Sequence, residues 1–385
     1  MSKDLAQNGR DLKTGGAWQC VLSAIGAVAL STALMLLLGS RVPSDAQAAM
    51  PHVTDSGGES FIYRFDPATS SFTFTFTIPT ENANPWDVVV AGRDQFDVWF
   101  TQSGIDRIGR LTYTDTQDYA FREYTLTVGS QPLNLELGKE FVWFTAAGGD
   151  YIGRLDPTTG QVDEFDVAAG SYPADLDIAP DGSIWFTEMA TDRLARMTVT
   201  STYEYGITEY ASPVTAAGRG WPYGVVVVGD SVYFAHPRVL TDCVTRFTPP
   251  DSWIDITGFV GGIPDGPFKL TVNSRGQVWG TERAGNRISS FGYGTMPIVT
   301  PYSLVPADSM PAGLAADADD HLWFTQRRMG QIGRLTPNGD PQKDYYTLPL
   351  DGLEPTGVAV DGGGGIWVLA QRPHRVYLPV VVRFL

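Results

Sequence analysis

Short apolar runs built around a Trp-Phe-Thr core recur along almost the whole chain. One copy, SIWFTE at residues 183–188, follows the turn Pro180-Asp181-Gly182. The aromatic residue that marks each copy is Trp99, Trp143, Trp185, Tyr233, Trp279, Trp323 or Trp367. Neighbouring copies are 42 to 48 residues apart. Such a period in a β-rich unit is typical of a propeller blade made of four antiparallel strands.

A proline stands 11 to 14 residues before each of these aromatics. The seven prolines are Pro85, Pro132, Pro173, Pro222, Pro267, Pro311 and Pro355. Because proline lacks a backbone donor, we expect it at the entry to the innermost strand of a blade. A Gly-rich hairpin then leads to the second strand, which carries the Trp. Alternation places Trp and Thr on one face of the blade and Phe on the other, so large rings fill the wedge between blades.

The repeat begins and ends in the middle of a unit. Residues 61–67 match the third strand of later repeats, and residues 71–78 alternate Phe with Thr like a fourth strand. The last repeat has only strand one, at 356–360, and strand two, at 365–369, before an apolar tail at 376–385. We therefore predict an all-β fold, a single seven-bladed β-propeller over residues 57–385. Its N- and C-terminal half-blades should pair into one blade and leave no free sheet edge.

The residues before the repeat have the order of a secretory signal. Residues 1–17 are polar with several basic side chains, an apolar run spans Trp18 to Gly39, and Ala46-Gln47-Ala48 is a small-x-small site. This order predicts a signal peptide, residues 1–48, a linker, residues 49–56, and a secreted protein. The alternative is an uncleaved membrane anchor with the propeller outside the cell, because the apolar run is nearly long enough to span a bilayer.

Charge and cysteine content limit the classes of partner. The formal net charge is −16, which disfavours binding to nucleic acid or to an anionic membrane surface, since both need clustered positive charge. Membrane contact is expected only through an uncleaved N-terminal segment. Cys20 and Cys243 are the only cysteines, so neither a disulfide framework nor a thiolate metal site is expected in the repeat. We expect a monomer.

The full repeat resembles the streptogramin B lyase family, also called the virginiamycin B lyase family. The matching segments are DRIGRL at 106–111, GQIGRL at 330–335 and TGQVDEF at 159–165. The resemblance covers about residues 57–370. It implies a seven-bladed propeller with a site at the mouth of the central channel. It also implies a magnesium-assisted elimination that opens a cyclic depsipeptide antibiotic.

The positions that carry the family's catalytic histidines hold other residues here. The resemblance implies a histidine directly after the repeat proline in the late blades. Those positions are Tyr223, Phe268, Ala312 and Thr356, and the early blades have Trp86, Leu133 and Ala174. Without an imidazole, the base and one metal ligand are both missing. We predict a binding or interaction module; the alternative is a divergent carbon–oxygen lyase or a metal-dependent hydrolase at the channel mouth.

Glu188, His236 and Glu282 form one candidate set of ligands for a divalent cation. They stand at the same end of strand two in consecutive repeats, and carboxylates with an imidazole suit a metal ion. The alternative is that the glutamate is a structural feature of the repeat, with Glu282 pairing with Lys269.

Asp87, Asn134 and Asp175 form a second candidate set. Each stands two residues after its repeat proline in the first three repeats, so their oxygens should lie on one side of the channel entrance. They could bind a hard cation, magnesium or calcium. The alternative is that they are solvated polar caps of the inner strands.

Arginines follow strand two in the last four repeats but not in the first three. They are Arg238, Arg283, Arg327, Arg328 and Arg372. Guanidinium groups suit carboxylates, sulfates and phosphates. We therefore predict that an anionic small molecule, or an acidic segment of a protein partner, binds on blades four to seven. The alternative is that these arginines only pair with surface carboxylates.

Overall fold

The computed structural model describes residues 58–373 except 94, 116–117, 202–203, 212–219, 238–242, 257–265, 293–298 and 338–341. In these ranges the chain forms seven sheets, each of four antiparallel strands. The predicted all-β, seven-bladed propeller is therefore confirmed. No helix in the described ranges is both long and apolar enough to cross a bilayer. The predicted signal peptide, linker and apolar tail lie outside the described residues.

The chain begins with the two outer strands of blade 7 and then builds the other blades in order. The first strands are β1 (Ser60–Asp66) and β2 (Ser71–Thr77). Blade 1 has β3 (Pro85–Gly92), β4 (Phe96–Gln102), β5 (Arg107–Asp115) and β6 (Asp118–Thr125). Blade 2 has β7 (Pro132–Leu137), β8 (Val142–Ala146), β9 (Tyr151–Leu155) and β10 (Val162–Asp166). Blade 3 has β11 (Pro173–Ile178), β12 (Ile184–Glu188), β13 (Arg193–Ser201) and β14 (Glu204–Ala211).

The remaining blades follow the same plan. Blade 4 has β15 (Val225–Val228), β16 (Ser231–His236), β17 (Cys243–Thr248) and β18 (Ser252–Ile256). Blade 5 has β19 (Pro267–Val272), β20 (Val278–Glu282), β21 (Arg287–Phe291) and β22 (Val299–Ser303). Blade 6 has β23 (Pro311–Ala316), β24 (Leu322–Gln326), β25 (Gln331–Thr336) and β26 (Gln342–Thr347), with a 3-10 turn at Arg327–Met329. Blade 7 is completed by β27 (Glu354–Val360) and β28 (Ile366–Gln371).

Blade 7 closes the ring as predicted. Its strand order is β2-β1-β28-β27, so the N-terminal hairpin pairs directly with the C-terminal one. A buried ion pair joins the two halves, with the Arg64 guanidinium 2.9 Å from the fully buried carboxylate of Asp361. No strand of this blade is left as the free edge that a half-blade would expose.

The repeat motif is explained by packing between blades. Trp99 is buried and stacks on Tyr124 of its own blade, with the ring centres 5.6 Å apart, and it belongs to a core cluster that includes Phe144 of the next blade. The motif arginine, Arg110, lies 4.9 Å above the Trp99 ring. The motif glycine, Gly109, faces the Phe100 ring so closely that a Cβ would lie 2.2 Å from it. The predicted wedge role of the aromatics is confirmed.

Candidate ligand-binding site at the channel mouth

The loops that enter strand one and the loops that follow strand two open at the same end of the channel. The pairing of β3 with β4 places Pro85 opposite Gln102, and the pairing of β19 with β20 places Pro267 opposite Glu282. The residues directly after the repeat prolines therefore ring the channel mouth. Those that line cavities there are Trp86, Leu133, Tyr223, Phe268, Ala312 and Thr356.

The threonine of the Trp-Phe-Thr core holds this ring in place. Its hydroxyl donates to the carbonyl of the residue after the proline in the next blade. These bonds are Thr101 to Leu133 at 3.2 Å, Thr145 to Ala174 at 3.1 Å, Thr187 to Tyr223 at 2.6 Å, Thr281 to Ala312 at 3.2 Å and Thr325 to Thr356 at 2.9 Å. Thr356 in turn donates to the Pro85 carbonyl at 2.9 Å, from the last blade to the first. Each bond satisfies a buried carbonyl and fixes one blade against its neighbour.

An aromatic cleft at the mouth is lined by residues of blades 1 to 5. Its volume is about 270 Å³. Its aromatic lining is Trp86, Tyr172, Trp221, Tyr223 and Phe268, and Leu133 and Met189 add aliphatic surface. Tyr223 stacks on Phe268 with ring centres 3.9 Å apart, and the Trp86 indole N–H donates to the Tyr223 hydroxyl at 2.6 Å. These contacts join three blades and fix the wall of the cleft before any ligand arrives.

Tyr172 and Trp221 are positioned by their backbone. Each directly precedes a repeat proline and has a left-handed conformation, with φ of 54° and 52°, which is uncommon for bulky residues. The carboxylate of Asp150 accepts the Tyr172 N–H at 3.0 Å, and that of Asp192 accepts the Trp221 N–H at 2.8 Å. These aspartates stabilise the strained turns that present both rings to the cleft.

Two of the predicted arginines reach the mouth. The guanidinium carbons of Arg283 and Arg327 each lie 5.5 Å from the centre of a Trp86 ring, and that of Arg283 lies 3.3 Å from the centre of the Phe268 ring. Arg327 donates to Glu354 at 2.7 Å. Burial, and then the charge of Arg327, lower the pKa of Arg283 to about 9. Arg283 therefore remains a cation at neutral pH.

The other predicted arginines do not join this pair. Arg328 forms an exposed ion pair with Asp308, and Arg372 lies 3.2 Å from Glu59 in another. Such surface pairs contribute little to stability. Arg328 and Arg372 therefore match the alternative interpretation, in which the arginines pair with surface carboxylates. Arg238 lies outside the described residues.

The predicted oxygen ligands do come together, but around a lysine. Asn134 donates to Asp87 at 2.6 Å. The Lys269 ammonium, on β19, lies 3.1 Å from Asp175 and 3.5 Å from Asp87. It occupies the position that we assigned to magnesium or calcium, and this corrects that assignment. Burial raises the pKa of Asp175 to about 6, although Lys269 acts in the opposite direction.

The other candidate metal set, Glu188, His236 and Glu282, is not brought together. In the described parts of the chain, no three His, Cys, Asp or Glu side chains are close enough to hold one metal ion. Glu282 lies 2.9 Å from Arg287 and not against Lys269, so the expected Glu282–Lys269 pair is wrong.

Glu188 and His236 are buried groups of their own blades. Glu188 accepts a hydrogen bond from Thr191 at 3.1 Å, and burial is the main cause that raises its pKa to about 7. His236 is fully buried on β16, and burial lowers its pKa to about 3. The imidazole is therefore neutral across the physiological range and is not exposed at the mouth.

Below the mouth, the channel is lined by further carboxyl groups. Lys269 and Asp87 border both a small mouth cavity, of about 20 Å³, and the channel, of about 390 Å³. Glu136 and Asp177 line the channel. Burial, with repulsion from Asp177, raises the pKa of Glu136 to about 8. Lys269 thus separates an arginine-rich mouth from an acidic channel.

The repeat is that of a known family. The sequence model of the Virginiamycin B lyase family matches residues 59–252 and 256–377. The chain belongs to this family. A curated virginiamycin B lyase from Nocardia farcinica is 32% identical over 105 residues, which are 27% of this chain and 34% of that protein. The match therefore spans about a third of the length of that curated relative.

Solved structures of virginiamycin B lyases share the fold. A streptogramin B lyase structure is 22% identical with a TM-score of 0.66, over 82% of this chain and 98% of that chain. The Staphylococcus aureus virginiamycin B lyase is 24% identical with a TM-score of 0.63, over 75% of this chain and 95% of that chain. A catalytically inactive form of the S. aureus enzyme with quinupristin is 23% identical with a TM-score of 0.64, over 81% of this chain and 99% of that chain.

The residues at the mouth do not match the catalytic set that the resemblance to the virginiamycin B lyase family implies. The late-blade positions after the repeat proline are occupied by Tyr223, Phe268, Ala312 and Thr356, whose side chains bring neither an imidazole nor a carboxylate to the ring. Hard cations such as magnesium prefer oxygen ligands that carry charge, so these four positions do not fit the metal that the resemblance implies. His321 pairs with Asp317 at 3.0 Å on the hairpin between β23 and β24, at the opposite end of the blade.

Three residues of the site stand at fixed positions relative to their repeat prolines, and for one of them that position predicts its contacts. Lys269 stands two residues after its proline, in the same register as Asp87 and Asp175, so a lysine facing those carboxylates was predictable. Tyr172 and Trp221 directly precede their prolines. Their place in the cleft follows from left-handed turns, for which an aromatic residue gives no sequence signal.

Proposed function

We propose that this member of the virginiamycin B lyase family is a secreted binding module with its ligand site in the aromatic cleft at the channel mouth. The observation that carries the proposal is the ring of residues after the repeat prolines. Where the resemblance implies catalytic histidines, Tyr223 and Phe268 build the wall of a cleft of about 270 Å³. Concave, largely aromatic sites with a few polar groups are typical of small-molecule binding. Secretion is supported by the signal-peptide pattern of residues 1–48.

The titratable groups at the mouth favour binding over elimination chemistry. An elimination needs a base that is free to take a proton at neutral pH. Burial raises the pKa of Tyr223. Burial alone would lower the pKa of Lys269, but the carboxylates of Asp175 and Asp87 raise it above its ordinary value. Both groups therefore stay protonated, and the carboxylates of Asp175 and Asp87 are paired with Lys269, so none of these groups is a free base.

A thermal-shift screen tests this proposal. Neutral, anionic and cationic small molecules are added to the wild-type protein, to Trp221→Ala and to the control Tyr205→Ala, an exposed aromatic outside the mouth. A ligand at about 100 times its Kd stabilises by about 2.7 kcal/mol. We expect at least one class to raise the melting temperature of the wild type and of Tyr205→Ala, with a smaller shift for Trp221→Ala. No stabilising compound in any class, or shifts that Trp221→Ala leaves unchanged, would contradict the proposal.

A further inference from the structure

The mouth has two chemically different parts that are continuous. The cavity, of about 20 Å³, is lined by Arg283 and Arg327, and the cleft, of about 270 Å³, is largely aromatic. Both are bordered by Trp86, Tyr223, Phe268 and Arg283. We propose that the ligand is an amphipathic organic anion. Its carboxylate lies between Arg283 and Arg327, and its apolar body fills the cleft. This inference rests on the proposed function and specifies the chemistry of its ligand.

The arginine pair has more charge and more donors than its neighbours neutralise. Arg327 has a carboxylate partner, Glu354, whereas Arg283 forms no ion pair with any described residue. In the described structure, Nε and Nη2 of Arg283 and Nε of Arg327 are buried with no hydrogen-bond partner. Unsatisfied buried donors are costly, and charged ones are the most costly. A bound oxyanion would satisfy them.

Nearby carboxylates do not meet this need. The Asp175 carboxylate accepts from Lys269 at 3.1 Å and from the backbone N–H of Val225 at 3.1 Å. The Asp87 carboxylate accepts from Asn134 and faces Lys269. Both acids are therefore engaged on the channel side of the mouth. The anion for Arg283 has to come from outside the described part of the protein.

The stacking of Arg283 favours a carboxylate. Its guanidinium lies over the Phe268 ring, and a stacked guanidinium uses its flat face and keeps the N–H groups in its plane. Those edges match the two oxygens of a carboxylate in a bidentate pair. Phe268 thus acts as a platform that orients Arg283 before the ligand binds.

The cleft beside the arginines calls for an apolar body on the same molecule. Met189, Tyr223 and Phe268 form a buried cluster, with Trp221 and Tyr172 packed against it. An inorganic anion would leave this surface in contact with water. A flat hydrocarbon group would cover it and stack on the rings. A cationic ligand would meet Lys269, Arg283 and Arg327 together.

Three probes separate the two halves of the site. They are 2-naphthoate, its neutral analogue 2-naphthamide, and acetate, which has the carboxylate alone. Each is titrated by isothermal calorimetry into the full chain, into the double variant Arg283→Gln/Arg327→Gln, and into Arg328→Gln, the matched control whose arginine pairs with Asp308. The melting temperature of each variant is measured in parallel to confirm folding.

We expect 2-naphthoate to bind at least about tenfold more tightly than either of the other two probes. The reason is that the carboxylate–guanidinium pair and the buried ring both contribute to its affinity. The double variant should lose about tenfold or more of that affinity, whereas Arg328→Gln should keep it within about twofold. Affinity should also fall with added salt.

The possible failures are distinguishable. Equal binding of 2-naphthoate and 2-naphthamide, or full affinity in the double variant, overturns the anion assignment. Equal binding of acetate and 2-naphthoate overturns the apolar half. Binding only by an acidic peptide would also overturn the inference. In each of these cases the mouth still binds a ligand and the proposed function survives. If no compound of any charge binds at the mouth, both fail.

Discussion

Lys269 and Asp175 form a salt bridge across the channel, with 3.1 Å between the ammonium and the carboxylate. The two residues lie on the innermost strands of blades 5 and 3. The carboxylate of Asp175 is 1% exposed, so water does not solvate its charge and the Lys269 ammonium neutralises it. Lys269 also borders both the mouth cavity and the channel, so the bridge lies where the two meet.

The first prediction concerns this bridge. Lys269→Met removes the cation and leaves the buried carboxylate of Asp175 beside the partly buried one of Asp87, which should cost about 3–5 kcal/mol in the free energy of unfolding at pH 8. Because burial already raises the pKa of Asp175 to about 6, the carboxyl becomes neutral below that pH and the loss should shrink at pH 5. Urea unfolding at both pH values measures it. The control, Lys139→Met, replaces an exposed lysine, and an equal loss in both variants would contradict the prediction.

The second prediction concerns Glu136 in the channel. Burial, with repulsion from Asp177, raises its pKa from 4.5 to about 8. The folded protein then holds a proton that the unfolded chain releases above pH 4.5, so this group contributes less stability as the pH rises through about 8. Glu136→Gln should stabilise the protein at pH 8, by at most about 4–5 kcal/mol for a shift of this size, and hardly at all at pH 4.5. The exposed neighbour Glu140 provides the control, Glu140→Gln, and a benefit independent of pH would argue against the shift.

The third prediction tests ring closure. The buried carboxylate of Asp361 accepts from Arg64 at 2.9 Å and from the Trp367 indole at 3.0 Å. Asp361→Ala should cost about 3–5 kcal/mol, because it leaves the partly buried guanidinium of Arg64 and the buried indole N–H of Trp367 without their partner. Asp97→Ala breaks the equivalent but more exposed pair with Arg110 and should cost about 1 kcal/mol or less. Similar melting temperatures for the two variants would contradict the prediction, because the pair that joins the half-blades would then stabilise the fold no more than a pair within one blade.

The fourth prediction concerns the motif glycine. A Cβ on Gly153 would lie 2.0 Å from the Phe144 ring, whereas the nearest atom to a Cβ on Gly206 is 3.7 Å away. Gly153→Ala should therefore cost about 1–3 kcal/mol through overpacking. Gly206→Ala should be neutral or slightly stabilising. The melting temperatures of the two variants test this prediction. An unchanged melting temperature for Gly153→Ala would mean that the Phe144 ring can move to admit a Cβ, and it would contradict the prediction.

The fold could be predicted from the sequence because every blade repeats the same physical solution. Trp99 fills a wedge, Gly109 admits the Phe100 ring, and the proline starts the inner strand. Because the same pattern occurs in each repeat, one ambiguous copy does not change the predicted fold. The pairing of β1 with β28 was predictable for a related reason, since each end of the chain lacks the half of a blade that the other end supplies.

The site was only partly predictable because its residues come from different blades and interact through space. Arg283 and Arg327 were identified from their loops, but the same argument also selected Arg328 and Arg372, which form exposed ion pairs. Spacing along the chain cannot show which arginines lie over the Trp86 ring at the mouth. The acidic set was placed correctly at the channel entrance, but its cation was misassigned because Lys269 was considered with Glu282 of its own blade instead of with residues across the channel.

The central claim is that the mouth binds a ligand and does not perform the family's elimination. The most direct measurement is mass spectrometry of a streptogramin B antibiotic, quinupristin, after incubation with the purified protein and magnesium, beside a virginiamycin B lyase as positive control. We expect the antibiotic to be recovered intact and cyclic, as in the sample without protein. A linear product that forms with the wild-type protein and not with heat-denatured protein would contradict the account.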